Sequence, residues 1–308
     1  MECFVLGTGG MMPMPRRHLT SVAVRTGGVV YLFDCGEGTQ VPYKAKHVGQ
    51  RALRVVAITH LHADHCLGLP GMMMLRAQMD DPAPLVLVGP PGLGRFVGHV
   101  RGDLAIYINY PIEIREWSAS ASEHAYEDEL VCLSWRPVEH SVLCLGYRLE
   151  ERERPGKFDA GAADRLGVPW GPLRGELQAG RAVTLPDGRV VRAEEVVGPP
   201  RRGRRIAFVT DTAVTPAIEQ LARDVDLAFV EGMFLPEHTD EAREKKHLTA
   251  QQAAVAAQRA GAARLVLVHV SPRYERRDLE QMAEVAAAVH PAAEVAREGQ
   301  VITLPLPD

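Results

Sequence analysis

The segment ITHLHADHCLGLPG, from Ile58 to Gly71, decides how this chain is interpreted. It follows the apolar run Leu53–Ala57, which predicts a buried strand that ends where the polar residues begin. Three histidines and an aspartate lie within a window of six residues just beyond this strand: His60, His62, Asp64 and His65. Because a buried polar group must be paired, these side chains need partners elsewhere in the chain.

A divalent metal ion is the partner that this pattern favours. Neutral imidazole and carboxylate are the ligands that catalytic zinc takes when cysteine is absent. A single histidine is more often a core residue, but four ligand-type side chains at this spacing favour a metal. Further ligand-type residues end or interrupt later apolar runs: His140, Asp211 and His269. Each alone could be a core histidine or a cap; together they complete a site for two ions.

Composition restricts the class of protein. The net charge of −4 gives no overall attraction for nucleic acid, so local features would have to hold a polyanion. Five cysteines are scattered and form no C-x-x-C pair, which argues for a reducing cytoplasm and against a thiolate zinc site. No apolar run approaches the roughly 20 residues of a membrane helix, and the N-terminus reads as a strand and not a secretory signal.

The order of predicted elements indicates an α/β fold. The first half contains short predicted strands: Cys3–Leu6, Ser21–Arg25, Val29–Asp34, Val55–Thr59, Leu85–Val88 and Ile112–Glu116. Helices are predicted at Pro70–Met79, Pro216–Arg223 and Thr249–Ala260, and two more strands at Leu227–Glu231 and Arg264–His269. This pattern predicts one domain over residues 1–308, with two mixed sheets and helices outside them.

Between Arg148 and Gly198 the composition changes. The segment is rich in glycine, proline and charge, has few core-forming residues, and contains a predicted hairpin that turns at Asp187-Gly188. We interpret residues 150–198 as an inserted arm, with a flexible surface insertion as the alternative. The basic cluster Arg201–Arg205 follows, and it could either bind phosphates or form a solvated turn.

The H-x-H-x-D-H run with a later His, Asp and His resembles the metallo-β-lactamase superfamily and, within it, the ribonuclease Z family. The resemblance extends over nearly the whole length through LGTGG, LFDCGEGTQ, THLHADHCLGLPG, GYRL, GVPWGP, FVTDT, KKHLT and HVSPRY. It implies an αββα sandwich with an inserted flexible arm. In the family the glycine- and proline-rich stretch of that arm, here Gly167–Pro172, is an exosite that grips the tRNA elbow.

The resemblance also implies roles for individual residues. One zinc ion would be bound by His60, His62 and His140, and the other by Asp64, His65 and His269. Asp211 would bridge the two ions, and manganese or another divalent ion could replace zinc. Asp64 would also act as the general base for the attacking water.

His247 matches the family histidine that contacts the scissile phosphate. The residues themselves support this role, since Thr249-x-x-Gln252 is a capping box and His247 lies just before that helix N-terminus, where an anion is favoured. A surface histidine in a charged loop is the alternative interpretation.

The sequence departs from the family at one element. Where the best-known members have His-Glu-Ala-Thr, this chain has Val230-Glu231-Gly232-Met233. Glu231 is kept as a catalytic candidate, but the histidine that helps to protonate the leaving oxygen is replaced. That role would fall to His247, to His238 or to no residue.

The predicted function is therefore a cytoplasmic, homodimeric endoribonuclease that removes the 3′ trailer from precursor tRNA and leaves a 3′ hydroxyl. The main alternative is a phosphodiesterase or related hydrolase of the same fold that acts on a small-molecule ester. A non-catalytic RNA-binding protein is a more distant alternative, since simple binding does not need a complete ligand set. A dinucleotide site at Gly7–Gly10 is rejected because Pro13 and Pro15 prevent the required helix.

Overall fold

The computed structural model describes residues 1–118 and 123–307. The strands in these ranges are β1 (Glu2–Gly7), β2 (Ser21–Thr26), β3 (Val29–Phe33), β4 (Leu53–Ala57), β5 (Leu85–Gly89), β6 (Ile112–Glu116), β7 (Glu123–Glu127), β8 (Val131–Val138), β9 (Cys144–Glu151), β10 (Val183–Thr184), β11 (Val190–Val191), β12 (Arg205–Val209), β13 (Leu227–Glu231), β14 (Leu265–Val268), β15 (Ala293–Val295) and β16 (Val301–Thr303). The α-helices are α1 (Gln40–Ala45), α2 (Ala63–Cys66), α3 (Leu69–Arg76), α4 (Leu93–Asp103), α5 (Ala160–Arg165), α6 (Pro172–Gln178), α7 (Pro216–Leu221), α8 (Thr239–Lys245), α9 (Ala250–Arg259) and α10 (Arg276–Ala287).

Two large mixed sheets organise the larger part of the chain. In the described ranges, one sheet has the strand order β16-β1-β2-β3-β4-β5-β6, and the other has the order β15-β14-β13-β12-β9-β8-β7. Strands β3 to β6 pair in parallel, and so do strands β12 to β15. The predicted α/β fold with two mixed sheets is confirmed.

Three apolar clusters hold the sheets and helices together. One cluster lies between the two sheets, and the other two lie between each sheet and its outer helices. Alternation along β13 shows the arrangement, because Phe229 packs between the sheets while Ala228 and Val230 pack on the helix side. Full burial of a side chain such as Phe229 stabilises the fold by roughly 1.5–3 kcal/mol.

The predicted helices are present, with shifted ends. The helix predicted at Pro70–Met79 is α3, which ends at Arg76, and the one predicted at Pro216–Arg223 is α7, which ends at Leu221. The capping box at Thr249 forms as predicted: Thr249 Oγ1 accepts from the Gln252 N–H at 3.2 Å, and Gln252 Oε1 accepts from the Thr249 N–H at 2.9 Å. Within the described residues, none of the helices combines the length and the apolar character that crossing a membrane requires.

The chain divides into two compact units. The larger consists of Met1–Glu150 and Arg205–Pro305, and the smaller of Glu151–Arg204 with the end of the chain from Leu306. The smaller unit contains α5, α6 and the β10–β11 hairpin, which confirms the turn predicted at Asp187-Gly188. The expectation of few core-forming residues was wrong, since the unit has its own apolar cluster: Ala163, Val168, Leu177, Val183, Leu185, Val191 and Val196.

Candidate metal centre

The site lies where several strands of the two sheets end. β4 leads to His60, β12 leads to Asp211 and β14 leads directly to His269. Because parallel strands place their carboxyl ends on one edge of a sheet, residues that follow them converge there. Burial of these apolar strands in the core therefore places the polar side chains that follow them close together at the carboxyl ends of the strands.

The first group of converging side chains consists of the residues predicted for one ion. Ligand atoms of the whole group lie within 4.8 Å of one another: His60, His62, His140 and Asp211. His60 Nε2 is 2.9 Å from His62 Nδ1, and His140 Nε2 is 3.4 Å from the same nitrogen. Three imidazole nitrogens thus point toward one region of space.

The second group consists of the residues predicted for the other ion. Asp64, His65 and His269 also have ligand atoms within 4.8 Å of one another. His65 Nε2 is 3.1 Å from His269 Nε2, and Asp64 Oδ2 is 3.5 Å and 3.4 Å from these two nitrogens. Asp64 also accepts a hydrogen bond from the Met11 N–H at 2.7 Å.

Asp211 lies between the two groups and directs one oxygen to each. Its Oδ2 is 3.7 Å from His60 Nε2 and 3.8 Å from His140 Nε2. Its Oδ1 is 3.3 Å from both His65 Nε2 and His269 Nε2. A carboxylate in this position has the geometry needed to bridge two cations.

The donor set fits divalent cations. Among the described residues, the buried Asp211 Oδ1 has no hydrogen-bond partner, although it lies beside two imidazoles. Burial alone would lower the pKa of His65, but the charges of Asp211 and Asp34 raise it well above its usual range. The buried carboxylates thus favour positive charge at this point, and nitrogen and oxygen ligands without sulfur suit zinc and similar ions.

The neighbouring cysteines do not join the donor set. Burial raises the pKa of Cys66 to about 11, and it raises that of Cys144 well above its usual range. Without a metal ion both thiols are therefore protonated near neutral pH, and neither belongs to a ligand group of the described residues. Cys66 donates to the His62 carbonyl oxygen at 3.3 Å, which agrees with its interpretation as a small buried residue.

Asp34 is a functional residue that the sequence reasoning missed. It is fully buried and accepts hydrogen bonds from His65 Nδ1 at 2.7 Å, from the Thr59 N–H at 2.7 Å and from Thr59 Oγ1 at 2.9 Å. This contact fixes the His65 ring and leaves Nε2 directed at the second ligand group. The available signal was an aspartate that ends the apolar strand β3 within LFDCGEGTQ.

The backbone at the site is strained at three residues. Asp34, Asp211 and His269 have φ values of 54°, 50° and 56°, in the left-handed region that favours glycine. Such a conformation costs about 1–2 kcal/mol for a residue with a Cβ atom. Each strain follows a strand end, where it turns a polar side chain abruptly out of the strand direction.

Glycines in two of the motifs make room for the site. A Cβ atom at Gly10 would lie 2.6 Å from the His269 ring, and a Cβ atom at Gly68 would lie 2.0 Å from the Gly36 carbonyl oxygen. Since neither distance is sterically possible, LGTGG and HADHCLG require glycine at these positions. The first packs against a candidate ligand, and the second allows the turn after the histidine cluster.

His247 lies beside both ligand groups. Its ring centroid is 5.1 Å from that of His140 and 5.7 Å from that of His269. Nδ1 is 2.9 Å from Glu231 Oε2, and the buried Glu231 also accepts from the Thr212 N–H. Although burial lowers the pKa of His247, the charge of Glu231 raises it to about 9. Glu231 therefore contacts the cluster through His247.

The structure distinguishes the residues considered for the replaced family histidine. Val230 is buried in the apolar cluster on the helix side of the second sheet, so a histidine there would lie among apolar side chains. His238 Nδ1 is 2.9 Å from the Tyr274 hydroxyl, and His238 belongs to neither ligand group among the described residues. Of these positions, only His247 lies against the ligand groups.

Comparisons with known proteins agree with this arrangement. Residues 15–73 match the family model of the metallo-beta-lactamase superfamily, and residues 189–270 match that of the beta-lactamase superfamily domain. A ribonuclease Z of Treponema denticola is 42% identical over 308 residues, which cover 100% of this chain and 99% of that protein. A ribonuclease Z of Salinibacter ruber is 42% identical over 302 residues, which cover 97% and 92% of the two chains.

A solved structure has the same fold. The short form of human tRNase Z matches 99% of this chain and 100% of its own length, with a TM-score of 0.72 and 24% sequence identity. At this identity the match establishes the fold alone. The two full-length relatives establish the family.

Proposed function

Because the chain belongs to the ribonuclease Z family, we propose that it is a metal-dependent endoribonuclease that removes the 3′ trailer from precursor tRNA and leaves a 3′ hydroxyl. The observation that carries this proposal is the pair of ligand groups that share Asp211 and lie beside His247. Such a pair suits the displacement of one oxygen on phosphorus by another.

The proposed cofactors are two zinc ions per chain, with manganese or another divalent ion as a substitute. His60, His62 and His140 would hold one ion, Asp64, His65 and His269 the other, and Asp211 both. When bound, the ions would lower the pKa of a coordinated water and stabilise negative charge on the phosphate. The chain itself contributes Asp34, which orients His65 for this task.

Asp64 is the proposed general base. Its side chain is 13% exposed, so a water molecule can reach it from the solvent. Burial raises the pKa of Asp64, but hydrogen bonds with His269 and His65 hold it below its usual range, so the group is ionised. An ionised carboxylate at this place can accept a hydrogen bond from the attacking water and orient it, which the proposed role as general base requires.

His247 is proposed to contact the scissile phosphate and to protonate the leaving oxygen. With Nδ1 held by Glu231, Nε2 is the ring nitrogen left for the substrate. Glu231 would act through this contact by positioning His247. Its proposed role therefore changes from a catalytic residue to a positioning residue. The assignment also removes the need for a histidine at position 230.

The smaller unit, Glu151–Arg204, is proposed to be the exosite that holds the tRNA, as the family resemblance implies. The segment from Arg148 to Glu195 has nine basic and nine acidic residues, and the unit Glu151–Arg204 as a whole has a small net charge of +3, from eleven basic and eight acidic residues. Recognition would therefore depend on shape and on individual contacts, as is usual for RNA duplexes. A homodimeric state and a cytoplasmic location are proposed on the same resemblance.

One assay tests the function directly. The purified protein, supplied with zinc, is given a trailer-bearing precursor tRNA and, separately, the chromogenic diester bis(p-nitrophenyl) phosphate. We expect cleavage of the precursor to a tRNA with a 3′ hydroxyl. Turnover of the diester alone would support the small-molecule alternative, and turnover of neither substrate would contradict an enzymatic role.

A further inference from the structure

The basic cluster Arg201–Arg205 is not a single site in the structure. Arg204 belongs to the smaller unit, where both Nε and Nη2 donate to the Glu151 carboxylate at 2.6 Å. Arg205 begins β12 of the larger unit, and its Nε is 2.9 Å from Glu150 Oε1. The neighbouring arginines therefore serve different parts of the molecule.

Arg205 lines a polar cavity of about 440 Å³ on the larger unit. We call this cavity the arginine pocket because four of its lining residues are Arg136, Arg148, Arg205 and Arg223. Two carboxylates also line it, Glu150 and Asp224, so four positive and two negative charges leave a formal charge of +2. The whole chain has a net charge of −4, so this pocket is locally opposite in sign.

Two of the four arginines stabilise the pocket itself. Arg148 donates to the carbonyl oxygens of Leu221 and Arg223 at 2.8 Å and 2.6 Å, at the C-terminal end of α7. It thus covers carbonyl groups that would otherwise repel an anion. Arg148 and Arg205 both contact Glu150, at 2.8 Å and 2.9 Å, and are held in place by it.

The other two arginines are available to a ligand. Within residues 1–118 and 123–307, the guanidinium groups of Arg136 and Arg223 form no ion pair and no side-chain hydrogen bond, and both residues are exposed. A guanidinium group presents donors in a planar fork that matches two oxygens of a phosphate. A phosphate group is therefore the ligand that this pocket suits.

We propose that the arginine pocket binds a backbone phosphate of the RNA substrate, an inference that rests on the proposed function. Arg205 begins β12 and Asp211 lies six residues after it, just beyond the end of the strand, so at about 3.3 Å per residue their backbones are at most roughly 20 Å apart. An RNA duplex spans a distance of this size over several base pairs. The bound phosphate lies in the body of the RNA and positions it without touching the reacting atoms.

The test is the double variant Arg136→Gln/Arg223→Gln in the full chain. These exposed side chains have no structural bonds to lose, whereas Arg148 and Arg205 are left in place. KM for precursor tRNA is measured at salt concentrations from about 50 to 200 mM, because each phosphate contact contributes about one unit to the slope of log affinity against log salt. We expect KM to rise at least about fivefold at the lowest salt and the slope to fall by about one unit.

The matched control removes two charges elsewhere. Arg243→Gln/Arg276→Gln replaces arginines whose side chains are 78% and 93% exposed. This control should keep the wild-type salt slope, and both double variants should hydrolyse bis(p-nitrophenyl) phosphate at wild-type rates.

Other outcomes would separate the inference from the function. If wild type cleaves precursor tRNA and the Arg136/Arg223 variant keeps its KM and salt slope, the inference is wrong and the function stands. Calorimetric binding of inorganic phosphate that this variant loses, with RNA kinetics unchanged, would also overturn it, because the pocket would then be a free-anion site. A wild-type protein that ignores precursor tRNA would contradict the proposed function itself.

Discussion

The metal centre and the smaller unit, Glu151–Arg204, are built in different ways. Candidate ligands such as Asp211 and His65 have side chains that are 4% and 0% exposed, and they are fixed by strand ends. The Arg204–Glu151 pair of the smaller unit is nearly buried, at 13% and 10% exposure, but other ion pairs of this unit are solvated: the side chains of Arg181 and Glu176 are 62% and 46% exposed. Such surface pairs contribute only about 0–1 kcal/mol each.

The difference agrees with the roles proposed for the two regions. Chemistry at phosphorus needs groups held in fixed positions, which burial and strained backbone provide. Recognition of a large RNA, the role proposed for the smaller unit, needs an accessible surface. Trp170 in the GVPWGP motif is 79% exposed, and its ring centroid is 4.1 Å from the Arg174 guanidinium, so it is accessible to a ligand. Changes in the centre should therefore affect every substrate, and changes in the smaller unit only RNA.

The strongest test of the centre is Asp211→Ala. Because each Asp211 oxygen faces one ligand group, its loss should release both ions. Turnover of precursor tRNA and of the small diester should fall by at least about 1000-fold, since the ions supply several kcal/mol of stabilisation. Metal analysis measures the ions retained. Asp240→Ala, which removes a carboxylate that is 90% exposed, is the control and should retain both ions. Full metal occupancy in the Asp211 variant would remove Asp211 from its bridging role.

His247→Ala tests the proposed proton transfer while leaving the metal ligands in place. We expect kcat for precursor tRNA to fall about 100-fold with unchanged metal content, because a general acid contributes roughly 10²–10⁴-fold. Both kcat and kcat/KM should fall together, as expected for an interaction made in the transition state.

His238→Ala is the matched control for this variant. It removes a histidine nine residues away that contacts Tyr274, and its kcat should stay within about twofold of wild type. Loss of metal from the His247 variant would show that His247 is a metal ligand. An equal loss of kcat in the His238 variant would contradict the assignment of proton transfer to His247.

The same comparison explains what the sequence could predict. Candidate ligands such as His60 and His269 could be predicted because a polar residue at the end of a buried apolar strand must have a partner. Asp34 was not recognised, because one aspartate after a strand also suits a turn, and its contact with His65 is made by tertiary packing. The core of the smaller unit was missed because its apolar residues, such as Val168 and Leu177, are separated by glycine, proline and charge.

Asp34→Asn tests whether this missed residue supports the centre. Asparagine has nearly the same shape, but its amide would place a donor against donors from Thr59 and His65. We expect metal affinity to fall about 10- to 100-fold, the usual effect of losing such a support. Zinc titration against a competing chelator measures this affinity.

The control for Asp34 is Asp128→Asn, which changes a partly buried aspartate that accepts hydrogen bonds from Tyr31 and Tyr126. It should lower the melting temperature and keep zinc affinity unchanged. Equal zinc affinity in the Asp34 variant and wild type would show that His65 is oriented without it.

The smallest effect is expected from removing the smaller unit. This change should affect precursor tRNA and leave hydrolysis of the small diester nearly unchanged. Glu150 and Arg205 are direct partners in the antiparallel pair of β9 and β12, so Asn-Gly can replace Glu151–Arg204 as a two-residue hairpin loop. The larger unit keeps its sheets, its ligands and the arginine pocket.

The variant should hydrolyse the small diester within a few-fold of wild type, because this chemistry needs only the centre. KM for precursor tRNA should rise at least about tenfold, equivalent to about 1.4 kcal/mol of lost binding. Unchanged KM would mean that the smaller unit is not an exosite in this protein, while loss of diester hydrolysis would mean that the two regions are not independent.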